Sequence, residues 1–240
     1  PKAESFNVSK DGDKSIVKVT YRFPQVDAQW EITYKVFANG IIKVDNRFVA
    51  EGTETPMIPR VGLRMQLSEI LNDLTYYGRG PEENYRDRRT SQFIGEYTTP
   101  IKDLYEPYIR PQENEHRTDI YWCALTTKQK AGLLFIADRT FELNASNYLL
   151  GSLDSGETID NGAPRTNETN HRHLTDPQPV KQVDMFIDYR MMGVGGDNSW
   201  GAIAHEPYLI RPGVENAIEY GFSIVPFDKK ADYKNLIYQY

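Results

Sequence analysis

Apolar and polar residues alternate along much of this chain, and this pattern constrains the fold more than any other feature of the sequence. Apolar residues occupy every second position over 17–23 and 30–36, and the same alternation returns at 218–224. A period of two is typical of a half-buried β-strand, whose successive side chains point to opposite faces. We therefore predict an all-β chain, with strands from end to end.

Turn residues between the runs predict which strands pair. Asn39-Gly40 precedes a second alternating run at 42–48, and Asp11-Gly12 stands between runs at 6–8 and 17–19. Asn-Gly and Asp-Gly favour two-residue hairpin turns. The apolar run Ala131–Ala137 is predicted to be a strand covered on both faces.

Two segments have helical spacing. Apolar residues recur at helical intervals over 63–74 and over 233–240, where Asp232 is a potential N-terminal cap. Residues 63, 65 and 67 fit a strand equally well. A helix in the first segment therefore remains open, and a C-terminal helix is predicted.

Composition gives no sign of a domain boundary. The 17 Gly and 14 Pro residues are scattered, and we find no linker, low-complexity tract or fixed-period repeat. We interpret residues 1–240 as one domain of two large, mainly antiparallel packed sheets. The long polar stretch Gly151–Gln182 is predicted to be a loop that carries function.

Charge and cysteine content exclude several classes. With 34 acidic and 28 basic residues the net charge is −6, which argues against a general nucleic-acid binder. No stretch approaches the roughly 18–20 apolar residues of a membrane helix, so we expect a soluble protein of cytoplasm or periplasm. The single Cys123 excludes an intrachain disulfide. Pro1 in place of Met indicates a chain that starts inside a longer gene product or after processing.

The most unusual segment is residues 193–201, which holds four glycines in nine residues. It lacks the Gly-Lys-Ser/Thr of a phosphate-binding loop. Two interpretations stay open: a tight turn with a core tryptophan, or a sugar platform. In the second, Trp200 stacks on the C–H face of a sugar while Asp197 and Asn198 bind its hydroxyls.

Three further polar motifs suggest structural roles. His171 and His173 share one face of an extended segment, but no other His or Cys lies nearby, which favours hydrogen bonding over metal ligation. The charged segments Glu82–Arg88 and Glu113–Asp119 are expected to fix loops or to hold the domain against its neighbours. No Gly-x-Ser-x-Gly elbow nominates a serine nucleophile.

Five longer motifs follow one another in an order that identifies a family. They are PRVGLR at 59–64, YGRGPEENY at 77–85, YIRPQEN at 108–114, HRH at 171–173 and MGVGGDNSWG at 192–201. This series resembles the C-terminal, small-chain domain of the large multidomain β-galactosidases of glycoside hydrolase family 2. The resemblance runs from about Thr55 to Phe227.

The resemblance implies a β-supersandwich, the fold shared with galactose mutarotases, and a strand at Leu63–Leu67. It also implies retaining hydrolysis of terminal β-D-galactose residues by two glutamates on a TIM barrel that this chain does not contain. We therefore expect no catalytic residue here and no activity of the isolated chain. The substrate-binding residues are expected to be Trp200, Asp197, Asn198 and His171.

The resemblance also bears on cofactors and partners. The magnesium and sodium of the family are implied on other domains, and we assign no metal or cofactor to this chain. A sodium site near the segments matching Pro111 and Thr169 is not carried over, because Arg110 and Thr166 depart from its pattern. The implied partners are a galactoside, the remaining domains of the same polypeptide, notably the barrel, and further copies in a homo-oligomer. Neither nucleic acid nor membrane is expected.

Two alternatives remain. The first is a free-standing mutarotase-like epimerase, with His171 or His173 as general acid and a glutamate as general base. The second is a non-catalytic carbohydrate-binding or assembly module. Similarity of fold does not by itself establish chemistry.

Overall fold

The computed structural model describes residues 2–50, 56–109, 111–153, 174–198, 201–212 and 217–239. Within these ranges the backbone forms eleven strands, a few single-turn 3₁₀ segments and one short α-helix, which confirms the all-β prediction. The strands are β1 (Lys2–Asp11), β2 (Lys14–Phe23), β3 (Ala28–Val36), β4 (Ile42–Ala50), β5 (Arg60–Leu67), β6 (Asp73–Gly80), β7 (Phe93–Pro100), β8 (Arg117–Thr126), β9 (Gly132–Ser146), β10 (Val183–Met191) and β11 (Ile218–Phe227). The helix α1 is Tyr233–Leu236.

All the described strand pairs are antiparallel, and they join into one continuous sheet. The strand order is β1-β2-β3-β4-β11-β9-β8-β6-β7, while β10 pairs with both β9 and β5. One core cluster combines Ile32 and Val44 from the first strands with Leu74, Met185 and Ile187 from β6 and β10. The sheet therefore folds over on itself, and two packed layers enclose a common core.

Both predicted hairpins are present. Gly12 and Gly40 adopt φ values of +63° and +84°, a left-handed conformation that glycine reaches without a Cβ penalty. Phe37 N donates to Ile41 O at 2.9 Å and closes the β3–β4 turn. The dipeptide signals thus located two turns correctly.

The helical spacing over 63–74 is misleading. Residues 63–67 lie in β5, which pairs with β10 along its length, and β6 begins at Asp73. The strand at Leu63–Leu67 implied by the family resemblance is confirmed. The C-terminal helix is also confirmed, because Asp232 caps α1 by accepting from Lys234 N at 3.1 Å. It is shorter than its pattern indicated.

Strand β9 joins the layers and is longer than the predicted run. Its first part, Gly132–Ala137, pairs with β11, and its last part, Glu142–Ser146, pairs with β10. Its other edge pairs with β8, whose register shifts twice between Arg117 and Trp122. Such bulges bend a strand. Residues 138–141 are left without a partner on the β10/β11 edge.

Two smaller findings concern the membrane and the cysteine. In the described part of the chain, no helix has the length and apolar character needed to cross a membrane. Cys123 is free and fully buried on β8, and burial raises the pKa of its thiol.

Candidate functional site

The glycine-rich segment begins directly after β10, which ends at Met191. Asp197 and Asn198 are exposed near its end. Trp200 lies outside the described residues, as do His171 and His173. The structure therefore places two of the four residues expected to bind substrate on one loop.

Asp87 holds this loop against the body of the domain. Its carboxylate accepts from Val194 N at 3.2 Å and from Gly195 N at 2.7 Å. A side chain at Gly193 would run into the same carboxylate, with a Cβ only 2.6 Å from its Cγ. The glycines thus let the backbone approach Asp87 closely, and the 77–88 motif positions the 193–198 motif.

The far end of the loop carries an exposed carboxylate, Asp197, which pairs with a histidine. Asp197 Oδ1 lies 2.8 Å from His205 Nε2, and both side chains are mostly exposed. A carboxylate and an imidazole at the surface can donate to and accept from ligand hydroxyls. The sequence patterns did not single out His205, because a lone histidine carries no spacing signal.

The charged segment Glu82–Arg88 acts as an internal connector in the structure. Glu83 accepts from the Tyr108 hydroxyl, from Arg88 and, at 2.9 Å, from Glu115 N. Asn84 is fully buried and its Oδ1 accepts from Thr118 N at 3.0 Å. These bonds tie the segment to the residues before β8 and to the start of β8 itself.

Behind this connector lies a buried polar cluster. Its members are Arg60, Glu113, His116, Glu142, Asn144 and Asp188. His116 Nδ1 donates to Asn144 Oδ1 at 2.7 Å, and Nε2 lies 3.0 Å from Glu142 Oε2. Both ring nitrogens face acceptor oxygens, and although burial opposes it, the hydrogen bond to Glu142 raises the pKa of His116.

The cluster decides between the two roles expected for Glu113–Asp119. We expected this segment to fix loops or to hold the domain against its neighbours, and Asn114–Thr118 are buried inside the chain. The charges gave no sign of this burial, because Arg60 and Glu142, which pair with Glu113 and His116, are distant in sequence. The segment therefore stabilises this domain and offers little docking surface.

Two carboxyl groups of this region are buried deeply enough to favour the neutral form. Burial raises the pKa of Asp188 to about 7, outweighing the Arg60 guanidinium that lies 3.0 Å away. Burial likewise raises the pKa of Glu115 to about 8. Asp188 also lies against the backbone of Gly62, where a Cβ would overlap its carboxyl group.

These raised pKa values predict that the isolated domain becomes less stable as pH rises. The folded chain holds protons on Asp188, Glu115 and His116 at pH values where the unfolded chain has already released them. The stability that these groups contribute is therefore fully present below their unfolded-state pKa values. It is lost as pH rises through the folded pKa values. We expect the free energy of unfolding in urea to fall by about 2–4 kcal/mol between about pH 6 and pH 8.5.

Glu115→Gln provides the control, because glutamine keeps the shape and does not titrate. The variant is expected to have a shallower pH dependence and to exceed the parent in stability at the alkaline end. A parent whose free energy of unfolding is constant or rises over this range would contradict the assignment.

The described residues contain no group of three or more His, Cys, Asp or Glu side chains arranged to hold a metal ion.

Comparison with known proteins identifies the chain's family. The family model described as β-galactosidase small chain matches residues 2–224. The β-galactosidase of Priestia megaterium is 31% identical over 212 residues, which cover 82% of this chain and 19% of that protein. The β-galactosidase of Streptococcus thermophilus is 30% identical over 214 residues, covering 85% and 19%. That of Halalkalibacterium halodurans is 28% identical over 219 residues, covering 90% and 20%.

The chain thus spans about one fifth of the length of these relatives. The matched region takes in β1–β10 and most of β11, together with the Asp87-anchored loop. From this agreement of sequence, fold and motif order, the chain belongs to the β-galactosidase small-chain family.

Proposed function

We propose that this chain is the C-terminal part of a β-galactosidase and completes the galactoside site of the longer polypeptide. The match to the small-chain family over residues 2–224, in a chain one fifth as long as its relatives, carries this proposal. The reaction is retaining hydrolysis of terminal β-D-galactose residues. Its two carboxylates belong to the barrel part of the polypeptide.

In this proposal the loop after β10 binds the substrate. Asp87 fixes the backbone of Val194 and Gly195, and Asp197 with His205 presents polar atoms beyond it. Trp200 follows two residues after Asn198 in the sequence, and in this proposal it stacks on the sugar at the leaving-group side. Aromatic stacking and hydroxyl bonds supply binding and orientation, while proton transfer stays with the barrel.

The test is Trp200→Ala in the full-length polypeptide. Loss of the stacking face is expected to raise KM for lactose about tenfold, which corresponds to roughly 1.4 kcal/mol. Trp200→Phe keeps an aromatic face and is expected to retain most of the affinity. Steady-state kinetics with lactose provide the measurement.

Asp87→Ala in the same protein tests the anchoring of the loop. It removes the acceptor of two backbone N–H groups and is expected to raise KM in the same direction as Trp200→Ala. Asp13→Ala removes an exposed carboxylate from the β1–β2 turn and serves as the matched control. Unchanged KM and kcat in both Trp200→Ala and Asp87→Ala would contradict the proposed role of the loop.

A further inference from the structure

A second site is suggested by the place where β9 changes partners. A cleft of about 750 Å³ opens where β11 and β10 separate along β9, and we call it the fork cleft. Asp138, Arg139, Thr140 and Glu142 line it, and the first three are consecutive exposed residues of β9. Its size lies within the range of ligand-binding pockets. None of the described residues of the loop at 193–198 lines it.

The walls of the fork cleft carry positive and negative side chains that form ion pairs with one another. Arg47 lies between Glu219, 3.2 Å away, and Glu31, 3.7 Å away. Lys43 of β4 pairs with Asp138 of β9, across the intervening strand β11. Because these charges largely cancel, the cleft has no strong preference for an ion of either sign. Their remaining N–H groups and lone pairs stay available for hydrogen bonds with a neutral ligand.

One wall presents a fixed carboxylate beside a guanidinium. Glu142 Oε2 accepts from Met191 N at 2.6 Å and faces His116 Nε2 at 3.0 Å, so the side chain cannot turn freely. Its other oxygen, Oε1, lies 3.6 Å from Arg86 Nη1, which is longer than a hydrogen bond. A hydroxyl group fits this pair, because it donates to the carboxylate and accepts from the guanidinium.

The lining also includes two buried polar atoms that make no hydrogen bond within the described structure. Asn46 Oδ1 is an acceptor and Arg86 Nε is a donor. Buried polar atoms of this kind normally have a partner, often a water or a ligand. An acceptor and a donor together match hydroxyl groups better than they match a simple anion or cation.

The lining of the fork cleft includes Gly221, which has no side chain. A Cβ at this position would overlap the Asp138 carboxylate and lie 3.2 Å from Asp45 Oδ1. The missing side chain therefore makes room for these two carboxylates, which lie over the sheet at this point and line the cleft. The half-buried Tyr189 adds an aromatic ring to the lining. Such a mixture of carboxylates, arginines and an aromatic ring suits the polar edge and C–H face of a sugar.

We propose that the fork cleft binds a neutral saccharide of one or two rings. The hydroxyls bridge carboxylate and guanidinium groups of the walls, and the C–H face of the ring lies against Tyr189. This inference does not rest on the function proposed for the loop, because it depends on a separate set of residues.

Isothermal titration calorimetry of the 240-residue chain tests the proposal, with galactose and lactose as probes. Galacturonate and galactosamine serve as charged analogues of the same ring. We expect millimolar binding of at least one neutral sugar and weaker binding of both charged analogues. No heat of binding for either neutral sugar, or tighter binding of galacturonate, would overturn the proposal.

Variants then locate the site. Arg139 is exposed, so Arg139→Gln is expected to leave the melting temperature unchanged and to weaken sugar binding about tenfold. Gly221→Ala adds a methyl group that displaces the Asp138 carboxylate of the lining, and it is expected to weaken binding independently. Lys128→Gln removes an exposed charge from the β8–β9 turn and is expected to change nothing.

Trp200→Ala separates this site from the loop. Sugar binding to the isolated chain is expected to survive Trp200→Ala. Binding that is lost in Trp200→Ala but unaffected by Arg139→Gln and Gly221→Ala would overturn the fork-cleft proposal and would leave the proposed function of the loop standing.

Discussion

Replacing Arg60 with alanine is expected to lower the free energy of unfolding of this chain by about 3–5 kcal/mol. Arg60 Nη2 donates to Glu113 Oε1 at 3.0 Å and to Asn144 Oδ1 at 2.9 Å, and its Nε lies 3.0 Å from Asp188 Oδ2. The guanidinium also stacks on Phe186, 4.5 Å from the ring centroid. Without Arg60, the fully buried carboxyl group of Asp188 has no guanidinium close to it among the described contacts.

Arg64→Ala is the matched control for Arg60. Arg64 lies on the same strand, pairs with Asp184 at 2.7 Å and stacks on the same phenylalanine, but its side chain is 45% exposed against 14% for Arg60. Its removal admits water to Asp184, so we expect a loss of only about 1–2 kcal/mol.

A double variant separates the charge from the packing. Arg60→Met together with Asp188→Asn removes both charges and is expected to recover part of the loss seen in Arg60→Ala. Urea unfolding followed by circular dichroism gives all the values. An Arg60→Ala domain within about 1 kcal/mol of the parent would show that the cluster contributes little.

The second large effect concerns activity. If the proposal is right, the isolated chain has no measurable galactosidase activity, because retaining hydrolysis needs two carboxylates placed on either side of the glycosidic bond. The carboxylates of the buried cluster are unsuitable: Asp188 is fully buried with its carboxyl group 3.0 Å from Arg60 Nε, and Glu142 is committed to His116 and Met191 N. The exposed Asp197 is paired with His205 and belongs to the loop that we propose to bind substrate.

Local sequence signals predicted the local structure well. Asn39-Gly40 and Asp11-Gly12 located two hairpins, and Asp232 located the start of α1, because each depends on contacts within a few residues. The helical spacing over 63–74 gave a wrong indication. This segment spans the end of β5, a turn and the start of β6, and its apolar residues fall at helical intervals by chance. Pairing with β10, far away in sequence, decides the structure there.

Long-range contacts explain what the sequence did not reveal. Asp87 accepts from the backbone of Gly195, 108 positions away, and an aspartate in a charged segment gives no sign of such a role. The proximity of Arg60 and Asp188 gave no sequence signal for the same reason. The fork in β9 had one faint signal, the polar interruption at Asp138–Thr140, but its meaning depends on two strands that come later in the chain.

The most direct test of the proposed function compares this chain with the full-length polypeptide in one assay. Each is purified and given an aryl β-D-galactoside at equal molar concentration, and release of the aryl alcohol is followed by absorbance. We expect rapid hydrolysis by the full-length polypeptide and none by the 240-residue chain above the background of buffer. Hydrolysis by the isolated chain at an enzymatic rate would contradict the account, because it would require a catalytic pair within these residues.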